Sequence, residues 1–296
     1  MSDLIWSERP SLRQPVLIAA FGGWNDAGDA ASAAVEFIGA RFEPREVAHI
    51  DPDEFVDFTD VRPTVRLTDG ELREIDWPVT TISAVEVPGA ESDLVILQGA
   101  EPSMRWRRYC AAVVEVAREL DARMVITLGS LLADVPHTRP VSISAIASDR
   151  DLVERLGLDH TSYEGPTGIV GVVQHACAEA GLSSLSLWAS VPHYVAAAPN
   201  PKVALALLRA FEGATGIAVD GSDLESAAED YERQVSAAVA SDPEVKAFVE
   251  RLETALDEVS EDGPPANLPS ADTIARDFQS FLRQRGPEGG GAGRAG

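Results

Sequence analysis

The sequence predicts an α/β fold in which helices cover both faces of a mostly parallel β-sheet, giving three layers. Short apolar runs of strand length alternate along the chain with longer segments whose apolar residues recur at helical spacing. Three of these runs, at residues 16–21, 93–99 and 124–129, end at or directly before a glycine. Such alternation is typical of parallel sheets, whose buried strands read as continuous apolar runs.

The predicted elements follow one another along the chain. Strands are expected over residues 16–21, 46–50, 93–99, 124–129, 141–147 and 185–191, and helices over residues 27–40, 103–121, 167–180 and 201–211. The mostly polar residues 1–14 are expected to form an extended arm. The alternating run 141–147 predicts a half-exposed or edge strand, and Thr167 is expected to cap the helix that follows Pro166.

A β-hairpin is predicted between the second strand and the third. Asp69-Gly70 separates the short runs 64–68 and 71–75, and this dipeptide favours a tight hairpin turn. We expect the faces of this hairpin to be polar, so that it forms an excursion from the main sheet.

The character of the chain changes from about residue 219. Residues 220–262 contain 14 acidic and three basic residues, while their apolar residues keep helical spacing. We therefore expect an α/β core domain over residues 1–218 and an acidic helical appendage over residues 219–285. The glycine-rich residues 286–296 are expected to form a disordered tail.

Charge and composition argue against several classes of function. A formal net charge of −24 disfavours binding to nucleic acid or to an anionic membrane surface, because both attract clusters of Lys and Arg. Cys110 and Cys177 do not have metal-site spacing, and no apolar run approaches the roughly 20 residues of a membrane span. We therefore expect a cytoplasmic protein without a metal, a cofactor, or a nucleic-acid or membrane partner.

Polar and aromatic side chains gather at the ends of the predicted strands. Because the carboxyl ends of parallel strands meet at one edge of the sheet, where α/β proteins usually bind ligands, we expect most of these residues to line one crevice. The candidate site residues are Trp24, Asn25, Asp26, Glu101, Ser130, Arg139, Glu164, Thr167 and His193.

Each candidate also has a structural interpretation, and the sequence leaves the alternatives open. Asp26 is a general base or ligand group, or it caps the helix after it. The Trp24 ring is expected either to stack on a ligand or to fill the core. The turn at residues 165–171 is expected either to bind an anion or only to pack on the sheet. Arg139 clamps an anionic group or lies in a surface loop. The sequence contains no GxSxG, HExxH or Walker motif, so no catalytic residue is assigned.

Three motifs in order carry a resemblance to a known family. They are Gly23-Trp24-Asn25-Asp26-Ala27-Gly28, then Tyr163-Glu164-Gly165-Pro166-Thr167-Gly168-Ile169-Val170-Gly171, and then Trp188-Ala189-Ser190-Val191-Pro192-His193-Tyr194 with Pro199-Asn200-Pro201-Lys202. Together they resemble the proteasome assembly chaperone 2 family in its actinobacterial form.

The resemblance implies a nucleoside-phosphorylase-like α/β fold with a C-terminal helical addition. It also implies a non-enzymatic protein-interaction or assembly-chaperone-like module with proteasome-related protein partners. The alternative is a small-molecule-binding enzyme, nucleoside-phosphorylase-like or hydrolytic, with its site at the carboxyl edge of the sheet. We expect a homo-oligomer, a dimer or trimer, that associates through the α/β domain with Trp106, Tyr109 and Phe248 on its apolar helix surface.

Overall fold

Strands and helices alternate along most of the chain. The computed structural model describes residues 3–68, 72–161, 163–195 and 198–262. The strands are β1 Leu4–Trp6, β2 Val16–Gly22, β3 Arg45–Ile50, β4 Thr64–Thr68, β5 Leu72–Asp76, β6 Thr80–Val85, β7 Leu94–Ala100, β8 Met124–Ala133, β9 Ile143–Ala147, β10 Asp159–His160 and β11 Ser184–Pro192. The α-helices are α1 Ala30–Ala40, α2 Trp106–Glu119, α3 Arg150–Arg155, α4 Ile169–Glu179, α5 Pro201–Thr215, α6 Ser222–Ser241 and α7 Pro243–Asp262.

The main sheet has the strand order β1-β3-β6-β7-β2-β8-β11-β9-β10 in the described part of the chain. Its four central strands, β7, β2, β8 and β11, run parallel, and Val16 of β2 lies opposite both Leu94 and Met124. The pairs β1–β3, β3–β6, β6–β7 and β11–β9 are antiparallel. The predicted α/β fold with a large, mostly parallel sheet is confirmed.

Helices cover both faces of the central strands, and this explains the continuous apolar run of β2. Val16, Ile18 and Ala20 face a core shared with α1 and α5. Leu17, Ala19 and Phe21 face a second core shared with α2 and α4. Both sets are completely buried, so the usual alternation of polar and apolar residues is absent.

Three strands were not predicted from the sequence. β1 has only three residues and lies within the predicted arm, and β10 has only two. β6 alternates buried positions with the half-buried Thr81 and Ser83, which weakens its apolar signal. Residues 143–147 pair with β11 on one side and the two-residue β10 on the other, and their mixed burial agrees with the half-exposed strand predicted there.

The predicted hairpin forms a separate two-stranded sheet, β4–β5. The expectation that its faces are polar is wrong. Val65 lies opposite Ile75, and Leu67 shares their face because alternate residues of a strand point the same way. These three side chains are exposed to solvent, so one face of the hairpin is mostly apolar, with Arg73 opposite Leu67 as its charged residue.

Helices α6 and α7 follow the core in the acidic region. α6 packs on α5 and on α7, and Leu224 near its start joins the apolar core beneath α1 and α5. The domain boundary at residue 218 and the extent of the helical appendage to residue 285 remain predictions. The predicted tail, residues 286–296, lies outside the described residues.

Candidate functional site

Four of the nine candidate residues meet at the carboxyl edge of the central strands. The backbone N–H of Glu101 after β7 donates to the Gly22 carbonyl at 2.8 Å, which joins the ends of β7 and β2. The N–H of Ser130 in β8 donates to the Asn25 carbonyl at 2.8 Å, and Asp26 forms a bridge with Ser130. We call Asn25, Asp26, Glu101 and Ser130 the edge cluster.

Asn25 and Glu101 connect this edge to the start of α4. Asn25 is completely buried, and its Nδ2 donates to Glu101 Oε1 at 2.6 Å. The same oxygen accepts a hydrogen bond from the backbone N–H of Ile169 at 2.8 Å, at the first turn of α4. A carboxylate at a helix N-terminus is favoured by both the unpaired N–H groups and the helix dipole. Glu101 therefore acts as a cap supplied from another strand.

The start of α4 corrects one expectation. Thr167 is exposed and does not cap the helix, because Gly168 occupies the N-cap position and Glu101 bonds the following N–H. A Cβ atom on Gly168 would lie 2.1 Å from Asn25 Oδ1, so only glycine fits against this amide. That oxygen has no hydrogen-bond partner, and its neighbour Nδ2 is held by Glu101. Glu164, in the same turn, is also exposed.

Asp26 is buried and bonds the first turn of α1. Its Oδ1 accepts hydrogen bonds from the N–H groups of Ala31 at 2.7 Å and Ser32 at 3.2 Å, and its Oδ2 accepts one from Ser32 Oγ at 2.5 Å. Burial raises the pKa of Asp26 above its usual value, against the opposing effect of these hydrogen bonds. This geometry gives the carboxylate the role of a helix cap.

The remaining neighbours at this edge differ in exposure. The Ser130 hydroxyl is buried and donates to the Ala27 carbonyl at 2.9 Å, so its proton is already engaged. Trp24 is 45% exposed, which excludes a role in filling the core. The edge thus presents an aromatic ring to solvent while its polar groups bond one another and the helix termini.

Arg139 and His193 lie elsewhere, against the C-terminal helices. Arg139 makes a bidentate ion pair with Asp257 of α7. Its Nε donates to Asp257 Oδ1 at 3.0 Å and its Nη2 donates to Oδ2 at 2.7 Å. This hydrogen bonding lowers the pKa of Asp257. His193 Nδ1 lies 2.9 Å from Asp134, and its ring packs edge-on against Phe248 of α7. Both residues therefore help to hold α7 on the α/β core.

Buried His137, which was not among the candidates, completes these contacts. Its Nδ1 lies 2.8 Å from the Tyr194 hydroxyl, and its Nε2 lies 3.1 Å from Ser236 Oγ of α6. Lys202 donates to the His137 carbonyl and, at 2.5 Å, to Glu232 of α6. Burial, together with the Lys202 charge, lowers the pKa of His137. We call His137, Arg139, His193 and Lys202, with their partners on α6 and α7, the helix latch.

The cavities leave little room for a ligand at the helix latch. A cavity lined by His137, Arg139 and Lys202 has a volume of about 20 Å³, enough for one water molecule. An open groove of about 500 Å³ lies on the outside of α2 and α4, away from the edge cluster. Within the described residues, no group of His, Cys, Asp and Glu side chains is arranged to hold a metal ion.

Large apolar side chains are exposed at the same edge. β3 runs parallel to β7, so the chain that joins β3 to β6, including the hairpin, leaves and re-enters the sheet at its carboxyl edge. Seven of the nine large apolar side chains exposed in the described part of the chain lie on these loops, strand ends and hairpin; they are Trp24, Val65, Leu67, Ile75, Trp77, Met104 and Leu132. We call them the apolar edge surface.

The residues expected to mediate self-association lie inside the protein or against it. Tyr109 is completely buried and packs edge-on against Phe21 and Phe55. Trp106 donates to the Pro102 carbonyl, and Phe248 contacts His193 and Tyr194. Tyr109 is therefore excluded from an association surface, whereas Trp106 and Phe248 are half-buried and their part in self-association stays a prediction. Amphipathic spacing alone does not distinguish a helix face packed on the core from one that meets a partner.

The fold and the edge cluster define a three-layer α/β protein whose strand-end polar groups hold helices in place. Residues 20–239 match the model of the PAC2 family. The chain therefore belongs to the PAC2 family, as its three motifs indicate.

Solved structures of relatives agree with this assignment. A PAC2 family protein from Streptomyces avermitilis is 46% identical, covering 79% of this chain and 99% of its own, with a TM-score of 0.74. A proteasome-assembly chaperone homologue from Mycobacterium tuberculosis is 44% identical, with the same coverage of both chains and the same TM-score. An archaeal proteasome activator from Pyrococcus furiosus is 18% identical over 80% of this chain and 99% of its own, with a TM-score of 0.64, and so shares the fold.

No curated protein matches the chain. In the described part of the chain, no helix is long and apolar enough to cross a membrane.

Proposed function

We propose that this protein is a non-enzymatic, cytoplasmic protein-interaction module of the assembly-chaperone type, with proteasome-related protein partners. Membership of the PAC2 family and the 44% identity to a proteasome-assembly chaperone homologue support the proposal. Self-association into a small homo-oligomer, a dimer or trimer, is part of it. An acidic protein surface also suits a partner with basic patches better than it suits nucleic acid.

One observation carries the proposal. At the edge where α/β enzymes place their reacting groups, Asn25, Asp26 and Ser130 are buried and bonded within the protein. What this edge offers to solvent, outside the hairpin, is the set of large apolar side chains Trp24, Trp77, Met104 and Leu132. Exposed large apolar side chains that lie near one another favour protein–protein contacts in soluble proteins.

A direct binding experiment tests the proposal. Purified α- and β-subunits of an actinobacterial proteasome are titrated with the full chain, and binding is followed by analytical ultracentrifugation. We expect a complex that Leu132→Asp weakens at least about tenfold, because one buried leucine contributes about 1.5–3 kcal/mol. Ile146→Asp is the matched control, since Ile146 is exposed on β9 away from this edge. Absence of binding at high micromolar subunit concentrations would refute a proteasome-related role.

The enzymatic alternative is supported less well. A nucleoside-phosphorylase-like or hydrolytic site needs polar groups free to meet a substrate, whereas three members of the edge cluster are buried. Thermal melts with a panel of nucleosides and nucleotides separate the two functions. A stabilising shift in the wild-type protein that disappears in Asp26→Asn would favour the enzyme.

A further inference from the structure

The β4–β5 hairpin stands apart from the rest of the protein. Its strands pair with each other and with no strand of the main sheet, and neither has extensive contact with another named element in the described chain. A two-stranded hairpin on its own is only marginally stable in water. It needs either a covering element or a partner to hold its shape.

The two faces of the hairpin have opposite character. One face carries Arg66 and Asp76, which form an ion pair. The other carries Val65, Leu67 and Ile75, which are 55%, 65% and 51% exposed, together with Arg73, which lies opposite Leu67. Trp77, directly after β5, packs edge-on against Phe58 and is still 49% exposed. The apolar face is therefore open to a partner.

Charge indicates which partner fits this face. Residues 62–77 contain three arginines and four acidic residues, so the hairpin is almost neutral in a chain whose net charge is −24. Two copies of so acidic a protein repel each other over most of their surface, and least where the local charge is near zero. A strongly basic partner would be drawn instead to acidic regions such as α6 and α7.

Shape points to the same partner. A twisted two-stranded ribbon with one apolar face is complementary to another ribbon of the same twist, as in face-to-face packing of sheets. In a symmetric dimer the same patch on both subunits meets itself, and each hairpin then supplies the cover that the other lacks.

We propose that the apolar face of the β4–β5 hairpin packs against the same face of a second copy of this chain, and that this contact holds the homo-oligomer together. The proposal rests only on the self-association part of the proposed function. It involves no proteasome component, so its test is independent of the test for partner binding.

The experiment compares neighbouring substitutions on opposite faces of β4. The wild-type chain, Val65→Lys, Leu67→Lys and the control Thr64→Lys are measured by light scattering and sedimentation from low to high micromolar concentration. Each variant adds one positive charge to an exposed position of the same strand. We expect the wild type and Thr64→Lys to exceed 31.5 kDa as oligomers. Val65→Lys and Leu67→Lys should raise the dissociation constant by about tenfold or more.

Hydrogen exchange keeps the test decisive if a substitution unfolds the hairpin. In the wild-type chain, the amides of β4 and β5 should exchange more slowly as the protein concentration rises, because the partner hairpin covers them. A wild type that remains at 31.5 kDa throughout the range would overturn the proposal. Oligomers that persist unchanged in Val65→Lys and Leu67→Lys, or hairpin exchange that does not depend on concentration, would overturn it as well.

Discussion

Asn25 and Glu101, 76 residues apart in the chain, are joined by a hydrogen bond of 2.6 Å between the amide Nδ2 and the carboxylate Oε1. The bond connects the loop after β2 to the loop after β7. Since Glu101 also accepts the N–H of Ile169, one carboxylate oxygen unites two strand ends and a helix terminus. Because this oxygen already accepts two hydrogen bonds within the protein, it is poorly placed to accept one from a substrate.

This shared oxygen predicts strong coupling between the two residues. We expect Glu101→Ala to lower the free energy of unfolding by about 1–3 kcal/mol, because it leaves the buried Asn25 amide and a helix N–H without their acceptor. A double-mutant cycle with Asn25→Ala should give a coupling of about 0.5–3 kcal/mol in urea denaturation. Glu91→Ala, at an exposed position, is the control and should change stability by less than about 0.5 kcal/mol. Additive effects of the two substitutions would contradict the shared bond.

Asp26 should show a capping effect and a pH effect of defined sign. Asp26→Ala is expected to cost about 0.5–2 kcal/mol, and Asp26→Asn less, because an amide oxygen can still accept the Ala31 N–H. The folded-state pKa of Asp26 is raised, so the folded protein binds a proton more readily than the unfolded chain does. Stability contributed at this site therefore falls as the pH rises from about 3.8 through the folded pKa, and is constant above it.

Denaturation curves of the wild type and Asp26→Asn over this pH range measure the effect. The difference in unfolding free energy, wild type minus variant, should decrease with rising pH. Asp60→Asn is the control, because Asp60 is exposed in the loop between β3 and β4. A difference that is independent of pH would show that Asp26 has an ordinary pKa in the folded protein.

The helix latch should weaken in mild acid. The pKa of His137 is lowered by burial and by the Lys202 charge, so the unfolded chain binds the proton more readily than the folded one. The stability contributed by neutral His137 is complete above pH 6.5 and is lost as the pH falls from there through the folded pKa. Glu232 and Glu253 face the same ring and oppose this trend without reversing it.

Melting curves between pH 5 and pH 7.5 test this dependence. The wild type should lose stability towards pH 5, and His137→Gln, which has no titratable ring, should lose less. His175→Gln is a matched control, because His175 is exposed on α4. Equal slopes for the wild type and His137→Gln would exclude His137 as the source.

Arg139 should determine how firmly α7 is held. Arg139→Ala removes both hydrogen bonds to Asp257, so the amides of α7 should exchange faster while those of β2 stay unchanged. Arg233→Ala is a suitable control, because Arg233 pairs with Asp230 within α6 itself. Unchanged exchange in α7 would show that the aromatic contact between His193 and Phe248 holds the helix without the ion pair.

Periodicity predicted the central elements well because burial on both faces leaves a continuous apolar signal, as in β2. The convergence of Asn25, Asp26 and Glu101 followed from the rule that parallel strands end at one edge. The helix latch did not follow, because the pairing of Arg139 with Asp257 depends on where α7 folds back, and no local pattern records that. The period-two spacing of Val65 and Leu67 contains the mostly apolar face of the hairpin, but charged residues of both signs lie between and around these positions and hide the pattern.

The position of β2 in the sheet has a consequence for synthesis of the chain. β2 is the first central strand to leave the ribosome, yet its hydrogen-bonded neighbours begin only at Leu94 and Met124. The most apolar strand of the protein therefore stays unpaired until much of the chain has been translated, while the local β4–β5 hairpin can close at once. During that interval the nascent chain presents both an unpaired central strand and the exposed apolar side chains of the hairpin, which are the features that make folding intermediates prone to aggregation.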